Sequence, residues 1–146
     1  MGRLGTWAAM LGLAVAASGA VPAGAQDDRA YLGTSLFGEY VPGGGAGEDA
    51  SGDFTAEIDL KAGRMCYFLE VEGLDEVTAA HIHEGARGKD GPPVVTLELV
   101  GEGGDDVCVN VDPALLRRIV RDQAKFYINV HTAEFPDGAV RGQLKE

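Results

Sequence analysis

Most of this chain alternates between apolar and polar residues. In DFTAEIDL, Phe54, Ala56, Ile58 and Leu60 fall on one side, and Asp53, Thr55, Glu57 and Asp59 on the other. A period of two predicts a strand with one buried and one wet face. RMCYFLEVEGL follows after the short break Lys61-Ala62-Gly63, so the two segments are expected to pair as a hairpin. Within it, Cys66 and Phe68 are assigned to the inner face, although Tyr67 and Leu69 blur the alternation. PVVTLELV and DVCVNVD carry the same signature, as does a first segment around Ala30 to Gly38. KFYINVHT and AVRGQLK are joined by AEFPDG. There proline fixes φ and glycine permits a reversal, which predicts an antiparallel hairpin.

One segment breaks the period. Asp112 precedes Pro113, and apolar residues then recur at helical spacing through Val120. An acid at the cap and proline at the first position predict one short helix near residues 113–122. GEYVPGGGAGEDASG has no apolar period and is expected to be a flexible connection. The fold class that follows is all-β: an antiparallel, Greek-key-like β-sandwich or barrel with one short helix.

The ends and the charge narrow the setting. Arg3 is followed by an uncharged, Ala/Leu/Gly-rich run to Val21 and by Ala23-Gly24-Ala25 before Gln26. That is the pattern of a secretory signal peptide, so residues 1–25 are expected to be a leader and 26–146 one β domain. Gly12, Ser18, Gly19 and Pro22 interrupt the run, which argues against a membrane span. The expected location is secreted or extracytoplasmic. Without Arg3 the net charge goes from −11 to −12. Such a surface repels phosphate backbones, which excludes nucleic-acid partners. The only two cysteines, Cys66 and Cys108, then read as one structural disulfide. A reactive dithiol would prefer closer spacing.

Candidate chemistry rests on three histidines. In TAAHIHEG, His81 and His83 lie two apart on a predicted strand and share a face, with side chains about 6.5–7 Å apart. His131 shares its own strand face with Tyr127 and Asn129, opposite Ile128 and Val130. If the two strands are neighbours, the three imidazoles are candidate ligands for copper or zinc. Arg141, on the last strand, is a fixed positive charge that could attract an anion to such a site. The favoured reading is a structural or partner-facing role in a binding or surface-interaction module, in which each ring bridges strands by hydrogen bonds, and metal binding is the alternative. No nucleophile elbow, phosphate loop, dinucleotide fingerprint or HExxH pair occurs, so no catalytic residue is assigned and an enzyme is the less favoured reading.

Two runs, TAAHIHEGARGKDGPPVVTLEL and FYINVHTAEFPDGAVRGQL, closely resemble the CHRD domain family, with Pro93 as an extra residue before the valines. LGTSLFGEYVP is similar to the family's first strand. The resemblance implies an extracellular all-β domain of the bacterial secreted single-domain type. It implies no established enzyme activity and no required cofactor. The partner it implies is an extracellular protein or surface ligand of unknown identity. The signature positions it marks are His81, His83, Gly85, Gly88, Gly91, Pro92, Asn129, His131, Thr132, Gly138, Arg141 and Gly142. A fainter likeness is to copper–zinc superoxide dismutases, whose copper strand AHIHEG resembles. The chain lacks their bridging histidine and zinc loop.

Overall fold

The computed structural model describes Gly2 and residues 28–99 and 106–145. Apart from Gly2, the expected leader lies outside the described residues. Eight strands follow in chain order: β1 (Arg29–Phe37), β2 (Ser51–Asp59), β3 (Arg64–Glu72), β4 (Val77–Glu84), β5 (Pro93–Leu97), β6 (Val107–Asn110), β7 (Phe126–Thr132) and β8 (Val140–Gln143). Among the described residues one α-helix, α1 (Pro113–Arg121), lies between β6 and β7, followed by a 3-10 turn at Gln123–Lys125. All pairings are antiparallel, in the order β5-β4-β7-β8-β1-β2-β3-β6. Hairpins join β1 to β2, β2 to β3, β4 to β5 and β7 to β8. In the strand order, β3 to β4, β5 to β6 and β6 to β7 each change to the other half of the sheet, which gives it its Greek-key character.

The sheet rolls into a nearly closed barrel. Its two end regions supply one apolar core. Val95 and Leu97 of β5 belong to the same buried cluster as Met65 and Tyr67 of β3, with Phe54, Ile58, Ile82, Ile128 and Val130 between them. Across the gap, the Tyr67 hydroxyl donates to the Glu98 carbonyl at 2.8 Å. The disulfide Cys66–Cys108 links residues directly opposite on β3 and β6. Among the described residues, no helix is long and apolar enough to cross a membrane.

Local chemistry explains the elements. The Asp59 carboxylate accepts from the Lys61 and Ala62 amides and shapes the β2–β3 turn. Asp112 caps α1 by accepting from Ala114 and Leu115, and Pro113 starts it as predicted. The helix buries Leu116 and Ile119 in the core.

Two expectations are corrected. On β3 the inner residues are Met65, Tyr67 and Leu69, while Cys66 and Phe68 lie on the outer face. The aromatic ring of Tyr67 is core material because its hydroxyl finds a carbonyl at the barrel gap. The glycine-dense connection after β1 is also pinned: the Ala46 amide donates to Ala139 and the Gly38 amide to Ala50. Gly43, Gly44, Gly45 and Gly47 all have positive φ, so the glycines build compact turns there.

Candidate metal centre

The barrel turns one face of β4, β7 and β8 away from the core. Ala80, Ile82, Ile128, Val130 and Val140 point inward, so their neighbours point outward. His81 lies opposite Asn129, and Asn129 opposite Arg141. One step along, His83 lies opposite Tyr127 and Tyr127 opposite Gln143. His131 lies opposite Ala79, whose small side chain leaves room. The long-range pairing of β4 with β7 thus unites the three histidines. Their ring centroids are 5.1–5.7 Å apart. Each offers a ligand atom within 4.8 Å of the other two. An ion bonded at about 2.0–2.1 Å needs nitrogens within about 4.2 Å of one another, so small side-chain shifts would close the site.

Hydrogen bonds fix which nitrogens are free. His83 Nδ1 lies 2.8 Å from the Gly91 carbonyl and His131 Nδ1 lies 2.9 Å from the Pro136 carbonyl. A carbonyl only accepts, so each Nδ1 carries a proton, and in the neutral form of either ring the lone pair is on Nε2. His83 Nε2, His131 Nε2 and His81 Nδ1 are buried without a hydrogen-bond partner. Burial lowers the pKa of His81, helped by His131 and His83. Burial likewise lowers that of His83, opposed by its bond to Gly91. Both shifts favour the neutral ring, in which one nitrogen keeps its lone pair.

The support around the cluster comes from the segment between β4 and β5. The Gly91 amide donates to the Tyr127 hydroxyl at 3.1 Å, and the Tyr127 ring stacks on His83 at 5.0 Å between centroids. The Arg141 guanidinium lies 3.4 Å from the Tyr127 ring centre. It donates to the Ala86 and Lys89 carbonyls at 3.0 and 2.9 Å and faces Asp90 at 3.5 Å. Gln143 donates to Gly85 at 2.9 Å. Arg141, 2 % exposed, thus binds the loop's backbone.

The remaining signature residues are local supports. Gly85, Gly88 and Gly91 belong to this loop, and the Pro92 carbonyl accepts from Glu84. A Cβ on Gly91 would lie 1.7 Å from the Glu84 carbonyl oxygen. Thr132 accepts from the Phe135 amide and shapes the turn that carries Pro136. Gly138, at φ 141°, packs against the Asn129 amide. Gly142 lets β8 approach Thr34 and Ser35 of β1.

Sequence reasoning did not assign Tyr127 or Gln143 to the site. The signal was present, because Tyr127 shares the predicted polar face with His131, and Gln143 follows Arg141 at strand spacing. The carbonyls of Gly91 and Pro136 have no side-chain signature.

The CHRD domain family model matches residues 33–144. Neither a search of curated proteins nor one of solved structures found a match.

Proposed function

The chain belongs to the CHRD domain family, and we propose that it is an exported, non-enzymatic binding module whose ligand is a copper or zinc ion held by His81, His83 and His131. One observation carries this reading: three buried imidazole nitrogens from two strands converge with lone pairs and no partner. Buried polar atoms without partners are uncommon and call for a missing ion or water. Neutral imidazoles suit copper and zinc, and the carbonyl bonds at Nδ1 are the outer support that metal-bound histidines usually have. The disulfide Cys66–Cys108 agrees with an oxidising compartment.

The test is direct. Protein prepared without chelator is mixed with copper(II) or zinc(II), desalted and analysed for metal. One ion per chain is expected, with a rise in melting temperature, because a ligand specific to the native state stabilises it. His83→Ala and His131→Ala are expected to lose both. Absence of retained metal and of any thermal shift in the parent protein overturns the proposal.

A further inference from the structure

The metal reading leaves part of the same face unexplained. Among the described residues, five side-chain polar atoms are buried without a hydrogen-bond partner: His81 Nδ1, His83 Nε2, His131 Nε2, Asn129 Oδ1 and Arg141 Nη1. All five belong to the outward face of β4, β7 and β8. The three nitrogens of the histidines would bind the ion. Arg141 Nη1 has the Asp90 carboxylate 3.5 Å away. Asn129 Oδ1 has nothing.

The orientation of that amide is settled by its other end. Asn129 Nδ2 donates to the Asp137 carbonyl at 3.2 Å. Reversing the amide would set two acceptors against each other, so the unpaired atom is the oxygen. Asn129 lies directly opposite His81 and two residues before His131. Their backbones are about 5 Å and 7 Å away, so Asn129 shares the outward face with both rings.

Three imidazoles leave one position on a four-coordinate ion. A carbonyl oxygen is a hard ligand, better suited to calcium or magnesium than to copper or zinc. Resting on the metal reading of the trio, we infer that Asn129 selects the ion's fourth ligand, which is a small proton-bearing one, water or hydroxide, that donates to Asn129 Oδ1. The site therefore prefers ligands with an O–H to give. An anion without a proton, such as azide, would displace the donor and leave a buried amide oxygen unpaired.

The copper(II)-loaded protein is titrated with azide, and the azide-to-copper charge-transfer band gives the binding constant. Asn129→Leu keeps the volume and removes the acceptor, and azide is expected to bind roughly tenfold more tightly than to the parent protein. Asn129→Asp keeps an acceptor oxygen and also loses the bond to Asp137, so it controls for loosening of the turn; its azide affinity is expected not to rise. Asn129→Ala serves the same comparison if leucine is not accommodated beside Gly138. An unchanged azide constant in the acceptor-free variants, with one copper still bound per chain, overturns this inference and leaves the metal reading standing. Failure of the parent protein to retain copper overturns both.

Discussion

His81 and His83 are bases held neutral by their surroundings, and that has a consequence for the metal-free protein. Their pKa values lie below the ordinary histidine value in the native state, with burial as the first cause in each. In the unfolded chain the same rings take up protons as pH falls through about 6.5. The unfolded state then binds more protons, so stability is present above 6.5 and is lost as pH falls towards the lower native values. The melting temperature of the metal-free protein is expected to drop between pH 7.5 and pH 5. The drop is expected to be smaller in a His81→Asn/His83→Asn variant, and identical profiles would contradict the assignment. A second residue-scale case is Gly91. Its missing Cβ leaves space for the Glu84 carbonyl, and its own carbonyl fixes the His83 tautomer. Gly91→Ala must move backbone, so urea denaturation is expected to show a loss of about 3 kcal/mol. Metal affinity should fall with it.

At the scale of elements, the segment from Gly85 to Gly91 is held like a strap. Arg141 and Gln143 project from β8 and bind three of its carbonyls. Tyr127 of β7 binds its last glycine. Strand β8 therefore acts on His83 of β4, which it does not touch in the sheet, through the strap and the Gly91 carbonyl. Arg141→Met is expected to speed amide hydrogen exchange in residues 85–91 while the core strands stay protected. Loss of such outer support typically costs about 10–100-fold in metal affinity. Arg141→Lys supplies a charge without the planar guanidinium that lies on the Tyr127 ring while its Nη2 reaches both carbonyls, so only partial recovery is expected. Unaltered exchange in the strap would show that the other contacts suffice.

At the scale of the whole molecule, the barrel must be held where its ends meet. Among the described residues, strand β6 pairs with β3 alone, and the disulfide ties the two at one register position. It closes a loop with a sequence separation of 42. Chain entropy gives such a crosslink about 4 kcal/mol of stabilisation. A Cys66→Ser/Cys108→Ser variant is expected to lose about that much in urea denaturation, with metal binding retained, because the histidines lie on the opposite half of the strand order. Loss of metal binding in a still-folded variant would show that closure of the barrel and the site are coupled.

The alternation of residue types was enough to mark the strands, because a strand shows its two faces in every second residue; short turn signals marked the β2–β3 and β7–β8 hairpins, and Asp112-Pro113 with helical spacing marked α1. It also placed His81 beside His83, and His131 beside Tyr127 and Asn129, on polar faces. The cysteine pair was legible because the sequence holds two thiols, which permit one connectivity, behind a segment that reads as a secretory leader. Which face of β3 turns inward was not legible, since Cys66, Tyr67, Phe68 and Leu69 are all apolar and only the barrel gap gives the Tyr67 hydroxyl a partner. Tertiary structure alone decided that β4 pairs with β7, because register between strands nearly fifty residues apart is a property of the whole sheet. It alone turned Arg141 onto the strap's carbonyls and brought the Gly91 and Pro136 carbonyls to the imidazoles. Backbone groups are the same in every sequence, and only folding gives them an address.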